Sequence, residues 1–508
     1  MHTPHSRNGT HAAPTTPSAP PTAARPIIRP LTPAQRLAPQ RAGYYETVWP
    51  SEHTDLWRSH AVSHVGLPPH FDPAKLKVTS ARLNLPVWGY TRARNEVFAI
   101  GGSPATLNIF TQQIKHGGSA TSGKAADAAS AFAGPGLREH LAQRTQDIPY
   151  AAKIDPHTMQ VSLCYLTEGT TLNYTGGLLM HQNGFVYAVS RSWLYKIDAA
   201  TMQVARSTAL PLVGTGEQQY FTVYNGLQVL ASGELVVKGF YFLNDTPVDG
   251  WLLLIDPDTL ALDVQQSHPL SSARMAISQA DDGSAMLYQV NATQALRFRI
   301  ADQAFVEDSA WTRTYRAADA GSTQASSQLL YAQIGQVVFA DNTVFGATTP
   351  IQLYPQALDV AAVPPGDLRG IDAFDVAVPG FNFMMIAGDP FERQMVVYYD
   401  PVNSLLSAHQ VTPAGKLVSL WNRDGVYKPS ASPAICPDRD LLCIDNYQDG
   451  RDHFVILRLS TGEFLGTVPL DANLPTIGTI FLGRNDDVYI LNSEAGTPHG
   501  QISRIFVG

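Results

Sequence analysis

The stretch LYKIDAATMQV at residues 194–204 decides the fold, because the chain repeats it with small changes at two other places. Residues 151–161 read AAKIDPHTMQV and residues 252–262 read LLLIDPDTLAL. Each copy is an apolar strand that stops at an Asp, turns, passes a Thr and resumes with an apolar residue. Asp and Thr side chains accept hydrogen bonds from nearby backbone N–H groups, and Pro fixes φ at about −65°. The pattern therefore predicts three tight turns between strands.

Weaker copies of the same unit occur at 296–306 (LRFRIADQAFV) and 456–466 (ILRLSTGEFLG). Between copies lie short β-like runs separated by Gly, Asn and Asp, as in GGLLMHQNGFVYAVSRSWLYKID at 176–198. That phrase reads as strand, Asn-Gly turn, strand, Ser-Arg-Ser turn, strand. Four strands in each unit of about 40–50 residues are typical of an all-β β-propeller.

The strand pattern predicts about eight four-stranded blades, with seven as the alternative because residues 326–425 fit the repeat least well. Within a blade we name the strands A to D from the axis outward. Strand A is expected to begin near Leu85, Gly176, Tyr224, Arg274, Ser327, Phe381, Ser432 and Ile477.

The two ends of the repeat predict how the ring closes. The chain ends in GQISRIFVG at 500–508, which reads as the third strand of the last blade. The missing outer strand is expected at 75–83, KLKVTSARL, near the start of the repeat. Pairing of these two segments would leave no long exposed sheet edge.

Composition divides the chain into three parts. Residues 1–40 are rich in Pro, Ala and Thr and are expected to be disordered. They lack the apolar core of a signal peptide, which favours the cytoplasm. Residues 41–75 are aromatic-rich and are expected to pack onto the ring, and residues 76–508 form the propeller. An insertion at 103–147 in the first blade is either a functional loop or loosely ordered decoration.

Charge and cysteine content exclude several classes of protein. The net charge of -8 argues against nucleic acid as a partner, and no apolar run is long enough to cross a membrane. Cys164, Cys436 and Cys443 are too few for a disulfide framework. We expect Cys436 and Cys443 to be partly buried thiols, and a bond between them across a hairpin is the alternative.

The Y-K-I-D-P-x-T turns and the four-strand spacing resemble the quinoprotein-like and YVTN-type β-propeller superfamily over about residues 76–508. The resemblance implies the fold, with ligands bound on the face that carries the D–A and B–C loops. It does not define a function, because this superfamily includes enzymes, assembly factors and scaffolds. Pyrroloquinoline quinone is not supported as a cofactor, since the chain has neither adjacent cysteines nor a repeated Trp-Gly motif.

Polar residues recur at the B–C junctions, in the phrases FADN, CIDN, YILNSE and YQVN. If these groups converge around an axis, their oxygen atoms suit Ca²⁺ or the hydroxyls of a sugar. The alternative is that Asp and Asn simply form the turns. The candidate metal ligands are Asp341, Asp445 and Glu494, and the candidate ligand-binding amides are Asn291, Asn342 and Asn446.

The D–A loops and one dense polar loop supply the candidate catalytic residues. Arg274 and Lys428 are positioned to hold a carboxylate, sulfate or phosphate unless acids of neighbouring blades neutralise them. His453, in IDNYQDGRDH, is a candidate general base beside carboxylates, with a solvated loop as the alternative. The same loops contribute His181, also a candidate catalytic residue, and Tyr220, Gln328 and Asn382 as ligand-binding residues.

His60 and His64 stand four residues apart in LWRSHAVSHV, a spacing that would place both on one helical face as a metal pair. The alternative is two surface histidines on a packing helix, with His53 and His70 nearby.

The sequence therefore leaves two functions open. One is an enzyme with its active site at the channel mouth, a lyase, hydrolase or isomerase acting on a small polar or carbohydrate substrate. The other is a non-catalytic propeller that binds a protein or other ligand. The sequence contains neither a nucleophile elbow nor a P-loop. It does not define the oligomeric state.

Overall fold

The computed structural model describes most of the chain from Gln40 to its end. The described residues are 40–103, 148–243, 246–291, 293–315, 327–331, 336–340, 352–357, 371–372, 386–401, 404–412, 414, 416–473, 475–476, 478–493 and 500–508.

Strands dominate these residues, with short 3₁₀ helices at Pro73–Lys75 and Gly216–Phe221. The first strands are β1 Leu76–Arg82, β2 Pro86–Ala93, β3 Glu96–Gly101, β4 Tyr150–Ile154, β5 Val161–Tyr165, β6 Thr175–Met180, β7 Val186–Ser190, β8 Trp193–Asp198, β9 Gln203–Ala209, β10 Thr222–Val229, β11 Leu235–Tyr241, β12 Gly250–Ile255, β13 Leu262–His268, β14 Ala276–Gln279, β15 Ala285–Val290, β16 Gln294–Ala301 and β17 Ala304–Glu307. The remaining strands are β18 Arg313–Thr314, β19 Ser327–Tyr331, β20 Gln336–Ala340, β21 Gln352–Ala357, β22 Ile371–Asp372, β23 Ala387–Asp389, β24 Met395–Asp400, β25 Leu405–Val411, β26 Leu417–Asn422, β27 Ala434–Cys436, β28 Leu441–Gln448, β29 Arg451–Arg458, β30 Phe464–Pro469, β31 Ile480–Leu482, β32 Asp487–Ser493 and β33 Gly500–Val507.

Within the described residues these strands form eight four-stranded antiparallel sheets. In chain order they are β2–β5, β6–β9, β10–β13, β14–β17, β19–β22, β23–β26, β27–β30 and β31–β33 with β1; β18 adds to the fourth. We number them first to eighth. The first strand of each sheet begins within a few residues of the predicted A strand, except in the sixth, where β23 begins six residues later. The prediction of an all-β propeller built from four-stranded antiparallel sheets is confirmed.

The ring closes as predicted. β1 pairs with β33 along its whole length, from Leu76 opposite Val507 to Arg82 opposite Gln501. The inner strand β31 of the eighth sheet lies beside β2 of the first, so the last sheet packs against the first. The outer edge of the eighth sheet is therefore supplied by the start of the repeat.

The repeated Asp forms the turn between the third and fourth strands of a sheet. Asp198 Oδ1 accepts hydrogen bonds from the Thr201 N–H at 2.8 Å and the Ala200 N–H at 2.9 Å. Asp155 and Asp256 accept the equivalent bonds in the first and third sheets. The residue four positions after each Asp has a positive φ of 56–58°. The turn prediction is confirmed, and its cause is local side-chain chemistry.

Burial falls from the axis outward. β6 and β10 are buried at every position, whereas β9 in the second sheet is mostly exposed. Neighbouring inner strands meet at backbone contact, since a Cβ on Gly176 would lie 1.9 Å from the Tyr224 carbonyl oxygen. The inner strands of neighbouring sheets are therefore closely packed around the axis.

Cys164, Cys436 and Cys443 are buried free thiols, so the hairpin disulfide considered from the sequence does not form. In β27 and β28 the two nearby cysteines are out of register, because Cys436 lies opposite Leu441. No helix among the described residues is long and apolar enough to cross a membrane.

Candidate functional site

Residues 40–67, which we call the axial segment, lie against the inner strands of several sheets. In the second sheet, the Met180 N–H donates to the Pro50 carbonyl at 2.7 Å. In the fourth and sixth sheets, the Ile277 and Gly388 N–H groups donate to the Leu56 and Ser59 carbonyls. Further contacts join His60 to Ile435 in the seventh sheet and Gly66 to Gly483 after β31 in the eighth. A segment that touches inner strands around the ring lies in the central channel.

The axial segment brings a buried carboxylate to one of the predicted catalytic residues. Glu52 Oε1 lies 2.6 Å from Arg274 Nε, and both side chains are buried. Arg274 Nη1 also donates to the Gly176 carbonyl at 2.8 Å and to the Asn225 carbonyl. Its guanidinium carbon lies 4.7 Å from the centre of a Trp88 ring. Arg274 is therefore neutralised and stacked from within the chain.

Two histidines complete this group, which we call the axial cluster: Glu52, His53, Arg58, His60 and Arg274. The His53 ring contacts the Glu52 carboxylate and the His60 ring, and its Nε2 lies 3.0 Å from Arg58 Nη2. All five side chains are buried. The axial cluster is a polar network whose members bond to one another inside the ring.

Burial sets the protonation of the axial cluster. Desolvation raises the pKa of Glu52 to about 7, although the Arg274 and Arg58 charges oppose the shift. Desolvation lowers the pKa of His60 to about 3 and that of His53 well below its usual range, and nearby Arg58 adds to both shifts. Both histidines are therefore neutral near pH 7.

The backbone of the axial segment is strained where it turns. Thr54, Arg58 and His60 have φ values of 72, 65 and 56°. These values lie in the left-handed region, which residues other than Gly and Asn rarely adopt. Asp55 holds the turn, accepting from the Trp57 N–H at 2.9 Å and from Ser59 Oγ at 2.5 Å. Such residues cost about 1–3 kcal/mol each, so surrounding contacts must hold the segment in place.

The predicted histidine pair does not form, because residues 56–65 are not helical. His60 is buried against His53, whereas the His64 side chain is 86% exposed and lies 2.9 Å from Asp438. Its neighbour His70 is also exposed. Among the described residues no group of three or more His, Cys, Asp or Glu side chains is arranged to hold a metal ion.

Two predicted residues face each other on the seventh sheet, and the backbone of a third, Lys428, bonds to one of them. Asn446 in β28 lies directly opposite His453 in β29, and Asn446 Oδ1 accepts the Lys428 N–H at 2.7 Å. Because side chains alternate along a strand, His453 points to the opposite face from the buried Asp452. The carboxylate that was expected to tune His453 is therefore on the other side of the sheet. Burial lowers the pKa of Lys428.

Asp445 is buried and already holds a loop. It accepts from the Ser430 N–H at 2.9 Å, from Ser430 Oγ at 2.6 Å and from the Ala431 N–H at 2.8 Å. Burial raises its pKa to about 6. A Ca²⁺ ion would have to displace these donors, so the role of Asp445 as a metal ligand stays a prediction.

The other described candidates are separate from the axial cluster. His181 Nε2 lies 2.8 Å from the Gly233 carbonyl, and its Nδ1 accepts the Asn183 N–H. Asn291 Oδ1 accepts from the Thr293 and Gln294 N–H groups, as a turn residue does. Tyr220 is half-buried in the second 3₁₀ helix, and Gln328 lies in β19 opposite Phe339. Asp341, Asn342, Asn382 and Glu494 lie outside the described residues.

Sequence reasoning selected Arg274 but not its partners. Glu52, His53 and Arg58 belong to SEHTDLWRSH, whose density of polar and charged residues is the one available signal. A polar decapeptide ordinarily indicates a surface loop. Only the ring shows that this one is enclosed, because the residues around it come from distant repeats.

A group of half-buried aromatic side chains lies where D–A and B–C loops meet, and we call it the loop-face aromatics: Tyr174, Tyr220, Phe242 and Trp251. The Tyr174 and Phe242 ring centres are 5.8 Å apart. Trp251 Nε1 donates to the carbonyl of Leu212, itself 39% exposed.

Comparison with solved structures shows the fold. The chain is similar to the Dos1 propeller with a TM-score of 0.52 and 10% identity, over 85% of this chain and 94% of that one. It also matches the WD40 domain of SCAP from fission yeast (TM-score 0.43, 8% identity, 86% and 99% covered). A candidate 6-phosphogluconolactonase from Bacteroides fragilis gives a TM-score of 0.37 at 11% identity, with 66% and 83% covered. No family model and no curated protein matches the chain.

The similarity to the Dos1 propeller supports a β-propeller and does not confirm the quinoprotein-like or YVTN family. At 10% identity, a shared propeller carries no information about the function.

Proposed function

We propose that this chain is a non-catalytic propeller that binds another macromolecule through its loop face. The observation that carries the proposal is the axial segment, which occupies the channel where propeller ligands usually bind. Arg274, expected to hold a substrate anion, is neutralised by Glu52 of the same chain. The other polar groups of the axial cluster also bond internally.

The loop-face aromatics offer the contact surface. Aromatic side chains are enriched in protein interfaces because they bury a large area at little cost in conformational entropy. Tyr174, Tyr220 and Phe242 are each partly exposed, and they lie at the ends of β6, β10 and β11, respectively.

The enzyme hypothesis stays a prediction. It rests on Asn446 and His453, which lie opposite each other in β28 and β29, and on Lys428, whose backbone N–H donates to Asn446. A site for a small polar or carbohydrate substrate, or for Ca²⁺, would have to lie there rather than at Arg274.

Site-specific photocrosslinking tests the proposed function. A photoreactive amino acid at Leu212, beside the loop-face aromatics, is expected to crosslink a macromolecular partner in cells that produce the protein. The same probe at Val306, exposed on β17, is the matched control and is expected to crosslink none.

Competition with protein that carries no photoreactive residue distinguishes a specific crosslink from a random one. Added wild-type protein is expected to suppress the crosslink, and Phe464→Ala, altered on an outer strand, is expected to suppress it equally. Phe242→Ala is expected to compete about thirtyfold less well, because aromatic residues at the centre of an interface contribute about 2 kcal/mol or more to binding. A crosslink that wild-type protein does not suppress would contradict the proposal. An increase in melting temperature with Ca²⁺ or a small acid that depends on Lys428 would also contradict it.

A further inference from the structure

We propose that the loop-face aromatics bind a basic segment of another protein, in which two cationic side chains flank an apolar anchor. This inference rests on the proposed function and names the chemistry of the partner. It concerns the end of the third sheet, where two exposed carboxylates, Glu217 and Asp249, stand beside the aromatic rings. We call these two residues the acidic rim.

Glu217 lies next to Tyr220. Both belong to the 3₁₀ helix Gly216–Phe221, three residues apart. Side chains at this spacing in a 3₁₀ helix lie one above the other. Glu217 is exposed and Tyr220 is half-buried, so a charged group stands at the edge of an aromatic one.

Asp249 occupies the same position relative to Trp251. Asp249 Oδ2 accepts from Ser267 Oγ at 3.1 Å, and Ser267 lies directly opposite Trp251 in the pairing of β12 with β13. Asp249 is exposed and Trp251 is half-buried. The second carboxylate of the acidic rim therefore also borders an aromatic side chain.

The acidic rim keeps its negative charge. In the part of the chain that the structure describes, neither Glu217 nor Asp249 forms an ion pair, and the partner of Asp249 is the uncharged Ser267. Unpaired carboxylates beside an apolar surface attract a cationic partner and repel an anionic one.

Arg191 is a cation close to this surface, since its charge acts on Tyr220. Its Nη1 donates to the Gly169 carbonyl. The exposed Glu168 precedes Gly169, and both Glu168 and Arg191 act on the Tyr195 hydroxyl. Glu168 therefore offsets Arg191 on the second sheet, and the acidic rim of the third sheet is not neutralised by it.

The surface between the two carboxylates is apolar. Phe242 follows β11, the strand that lies between β10 and β12. Further half-buried hydrophobic side chains pack in the same cluster: Leu243, Val248 and Leu270. A partner that covers this surface needs an apolar side chain between its two cations.

The strand spacing sets the distance between those cations. Glu217 lies just before β10 and Asp249 just before β12. Neighbouring strands are about 4.8 Å apart, so β10 and β12 are separated by about 10 Å. An extended peptide rises about 3.3 Å per residue, which places the two cations about three residues apart. Nucleic acids and anionic membranes carry the same sign of charge as the acidic rim and are disfavoured.

Selection from a phage-displayed library of random heptapeptides tests the chemistry of the partner. The full-length protein is immobilised, and bound phage are sequenced. Enriched peptides are expected to carry Lys or Arg on both sides of an apolar residue. Enrichment of acidic peptides would overturn the inference, and so would a selected pool with no more Lys and Arg than the starting library.

Reversal of the acidic rim locates the binding surface. Glu217→Lys with Asp249→Lys is expected to bind an enriched basic peptide at least about tenfold more weakly than wild type. Asp263→Lys with Glu307→Lys makes the same change in net charge at exposed positions of β13 and β17 and is the matched control. Equal weakening by both double variants would show an effect of net charge alone and contradict the assignment.

The crosslinking competition separates this inference from the proposed function. The Glu217→Lys, Asp249→Lys protein is expected to compete about tenfold less well than wild type. If it competes equally well while Phe242→Ala does not, the inference fails and the proposed function stands. A crosslink to RNA at Leu212 would also overturn the inference, whereas the absence of any crosslink there would contradict the proposed function itself.

Discussion

At the scale of single residues, the Glu52–Arg274 pair occupies the arginine that the sequence predicts as an anion-binding group. A buried ion pair is weak as a source of stability, but loss of one partner leaves an uncompensated charge that costs about 3–5 kcal/mol. Here Glu52 can escape part of that cost by taking up a proton, since its pKa is already about 7.

Arg274→Met is therefore expected to destabilise the protein more at high pH than at low pH. The pKa of Glu52 is raised in the folded state above its unfolded value of about 4.5, so its contribution to stability is present below pH 4.5 and is lost as the pH rises through 7. Without Arg274 the folded pKa rises further, and the loss continues above pH 7. Urea unfolding at pH 6 and pH 8.5 measures the difference.

The double variant Glu52→Gln with Arg274→Met is the control for this prediction. This variant has no buried carboxylate that could be left without its positively charged partner. Its unfolding free energy is therefore expected to differ from that of wild type by a similar amount at both values of pH. An Arg274→Met penalty that does not change with pH would show that Glu52 is not the group left behind.

At the scale of elements, the pairing of β1 with β33 joins the two ends of the propeller. The strands match residue for residue, and Ser80 Oγ lies 2.9 Å from Ser503 Oγ across the pair. The pattern of KLKVTSARL is sufficient to predict a strand, and the incomplete last blade indicates its partner.

A disulfide between Cys residues at these two positions is expected to form and to lock the ring. Replacement of Ser80 and Ser503 by Cys is expected to raise the free energy of unfolding by about 2–4 kcal/mol in the oxidised protein. Melting with and without a reductant measures the effect, and Ser80→Cys alone is the control. Failure of the pair to oxidise in air would be inconsistent with this register.

At the scale of the whole molecule, the axial segment makes the ring a filled body rather than an open channel. Its backbone bonds to inner strands of the second, fourth, sixth and seventh sheets, while its own turns hold unfavourable φ values. The ring holds the segment, and the segment fills the core of the ring, so each depends on the other.

Cleavage between the axial segment and β1 tests this dependence. A specific protease site inserted after His70, which is exposed, is expected to be cut without release of the N-terminal fragment. The fragment is expected to elute with the propeller under native conditions and to separate in denaturant, with a lower melting temperature than the uncut protein. Spontaneous release from a still-folded ring would show that the segment is an exchangeable ligand.

Local chemistry explains what could be predicted from the sequence. The Asp155, Asp198 and Asp256 turns, the inner strands and the closing strand depend on contacts within one hairpin or on the alternation of apolar residues. These features return with every repeat, so a single chain displays them several times. Arg274 was selected for the same reason, since it stands where an inner strand begins.

Only the tertiary structure decided what Arg274 contacts. Glu52 and Lys238 approach it from distant parts of the chain, and no periodicity relates residues of the axial segment to the repeats. His60 and His64 show the same limit, because their spacing fits a helix while burial places one inside the ring and leaves the other in solvent. The sequence by itself determined the propeller of four-stranded sheets, whereas the filling of its channel depends on long-range packing.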